Sequence, residues 1–236
     1  MNKMLDPAES RGIADHGWLY SRHTFSFASY HNPKRMGFGK LRVINDDIVA
    51  PGGGFDTHPH DNMEIISVPI VGSLRHQDSM GNQHIIRAGD IQIMSAGTGI
   101  THSEYNHSDK DPVNFLQIWV RPKELNIPPR YDQKTFDPER RHNDIQCIIS
   151  PDKNDHDAIW INQDAWFFLA DFDKEHHDIY SLQNPDHGLY VFVISGKIIV
   201  AGETLAARDG MGISGTPTAG IRAISDSQLL FIEVPM

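Results

Sequence analysis

Cysteine is nearly absent from this chain. Cys147 is the only one in 236 residues, which excludes an internal disulfide framework and points to a reducing compartment, the cytoplasm. The polar, charged start from Met1 to Gly12 carries no apolar signal core. Long apolar runs are missing as well. No stretch approaches the roughly 20 residues that a membrane helix needs, so no membrane association is expected.

Positive charge is scarce: 21 Lys and Arg stand against 31 Asp and Glu, a formal net charge of −10. The densest basic cluster is Arg140-Arg141. Direct nucleic-acid binding is therefore not expected, because phosphate neutralisation dominates such affinity. A protein partner that itself binds DNA stays compatible with this charge.

Several nucleophile and phosphate signatures are also missing. The chain has no Gly-x-Ser-x-Gly elbow, and Gly52-Gly-Gly-Phe55 lacks the lysine and helix of a phosphate loop. Cys147, in Ile-Gln-Cys-Ile-Ile, reads as an apolar core thiol.

Helical periodicity over more than about two turns is hard to find, whereas strand signals are nearly everywhere. Leu41 to Asn45, Met63 to Val71, Asn114 to Val120 and Leu189 to Ile194 are β-branched or aromatic runs bounded by turn residues. The Pro-rich stretch after Arg121 reads as a linker holding a short helix near Phe136-Asp-Pro-Glu-Arg-Arg141. It separates halves with a common layout: strand, Gly72, strand, a turn at Gly81, strand, Ala88-Gly89-Asp90, strand. The second half repeats it with Gly196, Gly202 and Arg208-Asp209-Gly210. The expected fold is all-β, two antiparallel barrels in tandem, with domains at residues 1–130 and 131–236.

The chain has 14 histidines, enough to give about one His-x-His pair by chance, so the context of the pair matters. In Thr57-His58-Pro59-His60, alternate residues of an extended strand share one face, and Pro59 keeps His58 out of helical angles. His102-Ser103-Glu104 repeats that spacing with an imidazole and a carboxylate. Two such pairs on neighbouring strands would offer four donors to one iron, copper, nickel, manganese or zinc ion. Acid is expected to strip the ion below roughly pH 6, because imidazoles must be neutral to ligate.

Gly52, His58-x-His60, Glu64 and Gly72, followed by Gly89, Ser95-Ala-Gly97, His102 and Asn106, resemble the two motifs of the cupin superfamily. Arg11-Gly12, His23-Thr-Phe-Ser-Phe-Ala28, Gly37-Phe-Gly39, Leu41-Arg-Val-Ile-Asn45, Met94-Ser-Ala-Gly-Thr-Gly-Ile100 and His102-Ser-Glu104 look strongly like the pirin family within it. They look closest to the bacterial pirin-like quercetinases. The resemblance is dense up to about Arg130, and the second half matches in layout alone.

That resemblance implies a bicupin of jelly-roll barrels, with one divalent metal held by His58, His60, His102 and Glu104. Iron is the first candidate, with copper, nickel, cobalt, manganese and zinc as alternatives. It further implies a quercetin 2,3-dioxygenase-like enzyme acting on a small aromatic polyphenol and O2, with Glu104 as ligand and candidate base. The rival implication is a non-enzymatic, metal- or redox-sensing co-regulator that acts through protein partners.

Other residues carry lesser expectations. Glu64 is either a packing residue near the site or a strand-end carboxylate near solvent. Met94 and Phe55 are candidate pocket walls. His76 and Asp78 either line the mouth or face water, and the aromatics of His23-Thr-Phe-Ser-Phe27 are read as core. The C-terminal barrel is expected to be metal-free. Leu182, Asn184, Ala223 and Ser225 stand where the first half has its donors, His187 is a lone imidazole nearby, and His176-His177 is a solvated pair.

Overall fold

The computed structural model describes residues 1–236. It consists of 22 strands and two short 3-10 turns, Ala8–Ser10 and Pro138–Arg141. The strand runs read from the sequence form as Leu41–Val49, Glu64–Val71, Val113–Val120 and His187–Ser195. No helix is long and apolar enough to cross a membrane.

The N-terminal unit is a seven-stranded sheet facing a four-stranded one. The larger runs Arg130–Thr135, Asp90–Ser95, Glu64–Val71, Val113–Val120, Leu41–Val49, Leu19–His23, Gly12–Asp15. The smaller runs Gly54–His60, Ile100–Asn106, Ser73–Asp78, Gln83–Arg87. The C-terminal unit repeats the seven-and-four arrangement, as the shared layout of the halves predicts.

Two strands cross between the halves. Asn2–Asp6 pairs with Gly210–Ser214 of the C-terminal sheet. Arg130–Thr135, within the stretch read as linker, pairs with Asp90–Ser95 of the N-terminal sheet. The linker reading is thus corrected for those six residues. Their only apolar side chain is Tyr131, so hydrophobic alternation gave no signal, and backbone pairing defines the strand.

Period-2 alternation explains where the core sits. In Glu64–Val71, Asp90–Ser95 and Val113–Val120, one face carries Ile66, Val68, Ile91, Ile93, Leu116, Ile118 and Val120. That face joins Phe167, Phe192, Leu230 and Ile232 of the other half in one cluster of 25 buried residues. The two large sheets therefore pack on each other through the middle of the molecule.

The C-terminal interior holds a second apolar cluster of 17 residues. The N-terminal interior holds only small clusters of 6 and 4, because its inward positions are polar: Asn45, Asp47, Ser67, Gln92, Gln117, His76, His102 and Glu104 are all buried. A barrel that gives up apolar filling for buried polar groups loses stability unless those groups find partners. That contrast marks the N-terminal interior as the place of chemistry.

Candidate metal centre

Strands Gly54–His60 and Ile100–Asn106 are antiparallel neighbours, with His58 opposite His102 and His60 opposite Ile100. The register shifts between His102 and Glu104, so that Glu104 pairs with Phe55. Such a bulge re-aims side chains locally, and both His102 and Glu104 lie in the interior, 2% and 1% exposed. The turn into this strand depends on Gly97, whose backbone is left-handed at φ +49 and whose absent Cβ would collide with the Ile127 carbonyl.

The three imidazoles converge, with ring centroids 4.8 Å apart for His58–His60, 4.5 Å for His58–His102 and 4.9 Å for His60–His102. Their nearest nitrogens lie within 4.8 Å of one another. His58 Nδ1 donates to the Asp56 carbonyl at 2.7 Å, which leaves Nε2 as the lone-pair nitrogen. Neither ring nitrogen of His102 has a hydrogen-bond partner, although both are buried.

Burial, followed by repulsion from the neighbouring imidazoles, pushes His60 down to about 4 and His102 down to about 3. Both rings are therefore neutral at pH 7 and ready to ligate.

Glu104 joins a second trio with His76 and His102, again with donor atoms within 4.8 Å. Its carboxylate reaches across the barrel. Ser67 Oγ donates to Oε1 at 3.0 Å and Gln117 Nε2 to Oε2 at 3.1 Å, both from the large sheet. His102 belongs to both trios and links the half-exposed His58 and His60 to the buried Glu104 and His76.

Several expectations need correction. His76 neither faces water nor lines an open mouth. It is fully buried opposite Glu104, with its ring 5.4 Å from His102. Asp78 is 8% exposed and lies 3.3 Å from His76 Nε2. Glu64 is 1% exposed rather than near solvent. It accepts from Ser95 Oγ at 2.8 Å and from the backbone of Asn162, across the domain seam, at 3.2 Å.

The half-exposed Phe55 lies beside the site, with its ring 6.4 Å from His58. Met94 packs in a small apolar cluster with Ile65, Ala96 and Ile100. Phe25 is in the core as expected, but Phe27 is half-exposed and lies outside it, a correction to the reading of both as core.

Sequence reasoning missed Trp119, whose ring stands edge-on to His60 at 5.0 Å and edge-on to Phe27 at 5.2 Å. Its buried Nε1 has no partner. Tyr131 was missed too. It sits between His76 and His84, at 4.8 and 4.9 Å. Only the strand register brings these residues to the histidines; no local motif marks them.

In the C-terminal interior, His187 is the lone imidazole expected, buried beside Trp166 and in no donor cluster. Its Nδ1 lies 3.2 Å from Glu233 Oε1. His176 is half-buried against Phe172 at 4.5 Å, and only His177 of that pair is exposed. Burial pushes the Cys147 thiol up to about 12, consistent with the inert thiol read from its neighbours.

Comparison with known proteins agrees with this picture. Residues 6–120 match the family model described as Pirin, and residues 147–234 match the Quercetinase C-terminal cupin domain. The chain is 42% identical to quercetin 2,3-dioxygenase of Escherichia coli K12, covering 98% of both chains. It is 40% identical to a pirin-like protein of Caulobacter vibrioides, over 98% of this chain and 99% of that one. The crystal structure of YhhW from Escherichia coli superposes with a TM-score of 0.94 at 41% identity, covering 99% of this chain and 98% of that one. A nickel(II) complex of the same bacterial pirin superposes at 0.93 with 40% identity, covering 99% of each. With two cupin-type units in tandem and relatives matched along nearly its full length, the chain belongs to the pirin family.

Proposed function

We propose that the protein is a metal-dependent dioxygenase that opens the central ring of a flavonol such as quercetin, with its ion held by His58, His60, His102 and Glu104. The observation that carries this reading is His102. It is a buried imidazole with no partner for either nitrogen, set between two histidines and a glutamate. An orphaned buried polar group of this kind fits a missing ligand, and the donor types suit a divalent transition metal. Iron stays the first candidate, and nickel joins it because a relative 40% identical is described with nickel(II).

When bound, the ion would supply a positive centre that lowers the pKa of a hydroxyl at an open position and gives the substrate's electrons a route to O2. The chain's own residues do the rest. Glu104, braced by Ser67 and Gln117, accepts the proton of the flavonol hydroxyl, the group beside the ketone. Trp119 and Phe27 give an aromatic wall beside His60 for a flat polyphenol. The N-terminal unit, including Arg130–Thr135, carries the site, and the C-terminal unit, with Asn2–Asp6 added to its sheet, is the packing partner.

The test is aerobic incubation of iron- or nickel-loaded protein with quercetin. Loss of the flavonol absorbance with carbon monoxide release is expected. Glu104→Gln is expected to lower kcat by about 100-fold or more while the three histidines keep much of the ion. No turnover with iron, nickel, copper, cobalt or manganese would remove the enzymatic reading and favour partner binding.

The pH dependence of metal affinity differs from that of free histidines. His60 and His102 take up protons only near pH 4 and 3, so neither competes with the ion between pH 6 and 4. In that window the logarithm of affinity is expected to fall by no more than about one per pH unit. Below about pH 4 the slope should steepen to two or more as these rings protonate. This moves the sharp loss well below the roughly pH 6 expected from sequence. Competitive chelator titration at stepped pH measures it, and a slope near three starting at pH 6 would contradict the buried, neutral rings.

A further inference from the structure

A cleft of about 360 Å³ lies on the seam between the two halves, away from the metal-centre histidines. Its floor is the outer face of the large N-terminal sheet, where Tyr20 pairs with Ile48 and Arg22 with Asp46. Arg11 lines it from the N-terminal segment, and Arg208 from the C-terminal unit.

Arg11 is the anomaly. It is 4% exposed, yet its Nε and Nη2 are buried without any hydrogen-bond partner. Its guanidinium lies over the Phe192 ring at 4.7 Å. Glu9 also lines the cleft, and no carboxylate forms an ion pair with Arg11. Asp6 accepts from Tyr190 Oη at 2.9 Å and pairs with Arg35 at 3.4 Å, and Asp46 pairs with Arg208 at 3.1 Å. Arg22 is also free of carboxylates, resting 5.6 Å from the Tyr20 ring.

Arg208 shows that this seam is built at a cost. Asp90 and Asp209 each accept from the backbone N–H three residues earlier, which aligns the two turns. Arg208 then stands where the first half has Gly89. It holds the left-handed conformation at φ +70 that Gly89 holds at +94, a geometry that penalises a side chain. In return its guanidinium reaches across the seam to Asp46 and Asn114.

A buried arginine stays charged, and a buried charge without a partner is strongly unfavourable. We infer that the seam cleft binds a small oxyanion, phosphate or carboxylate, which pairs with Arg11 and Arg22. Two free guanidinium groups beside one cavity match the forked geometry of such an anion. The chain's net charge of −10 repels anions in general, so saturable anion binding reports a local site.

The test compares thermal melts and calorimetric titrations with inorganic phosphate and with acetate, at ionic strength matched by sodium chloride, on metal-loaded and chelator-treated protein. At least one of the two anions is expected to bind saturably by calorimetry and to raise Tm logarithmically, by roughly 5 °C at a hundredfold excess over Kd, with and without metal. The stronger of the two identifies the anion class. Arg11→Met keeps the stem over Phe192 and removes the unpaired charge. It should lose the anion effect while melting no lower than the parent in chloride alone, and its quercetin turnover should be unchanged. Arg22→Met, on the half-exposed floor, should weaken binding at least tenfold, and it serves as the variant should Arg11→Met not fold. The proposal is overturned by no shift beyond chloride, by a shift that survives in Arg11→Met or, failing that variant, in Arg22→Met, or by one seen only with metal present.

Discussion

Replacing His102 by alanine is expected to take bound metal from about one equivalent per chain to less than a tenth, and quercetin turnover to background. The size of the effect follows from position. His102 is the member common to both donor trios and lies 4.5 Å from the His58 ring. Without it, His58 and His60 form a pair on one strand with Glu104 on the far side. Loss of one of three imidazoles typically costs an open four-ligand site most of its affinity. Elemental analysis of protein purified without added metal, with the melting temperature as a check on folding, measures the outcome. Removing a buried imidazole that has no hydrogen bond breaks none, so Tm of the metal-free protein should change by only a few degrees. A full equivalent retained in His102→Ala would displace the site from this barrel.

The second large effect is expected in the other barrel and on stability rather than metal. Glu233 is fully buried and accepts three hydrogen bonds. Tyr180 Oη donates at 2.8 Å and the backbone N–H groups of Gln183 and Asn184 at 2.8 and 2.9 Å, while His187 Nδ1 lies 3.2 Å away. Glu233→Ala leaves the buried Tyr180 hydroxyl and two part-buried backbone N–H groups without an acceptor, at up to about 1–3 kcal/mol each before relaxation. A net loss of about 3–5 kcal/mol is expected, or roughly 10 °C in Tm for a chain of this size. Denaturant melts measure it. Glu233→Gln keeps an acceptor oxygen and should lose about half as much. A change under about 1 kcal/mol for the alanine variant would mean that these donors find water instead. Metal content should be unchanged in either variant.

These two effects show how the halves have diverged on one plan. The C-terminal barrel fills its interior with an apolar cluster and pins its one buried carboxylate with its own backbone. The N-terminal barrel keeps donors unsatisfied and a carboxylate braced only by Ser67 and Gln117. On the proposed function, the chemistry sits in the half that gave up packing.

The fold class was legible because strand alternation and turn glycines are local signals, and both halves carry them. The convergence of His58, His60 and His102, and the place of Glu104 beside His102, were legible because each pair sits two residues apart on one strand. What surrounds them was not. His76, Trp119, Ser67 and Gln117 reach the site through strand register and through packing of one sheet on the other. A one-residue slip would turn each of them away, and a single sequence does not encode register visibly. Glu64 looked ambiguous for the same reason, because its partner Asn162 lies 98 positions along the chain and across the seam. The exchange of Asn2–Asp6 into the C-terminal sheet likewise left no periodic trace, since Asn-Lys-Met-Leu-Asp carries no strict alternation.

The most direct test is crystallographic. Nickel-loaded protein, recorded at the nickel absorption edge, should give one anomalous peak per chain within ligand distance, about 2.0–2.2 Å, of His58, His60 and His102 nitrogens and a Glu104 oxygen. A peak bound by His76, or by residues of the C-terminal barrel, with His58 and His60 left free, would contradict the assignment.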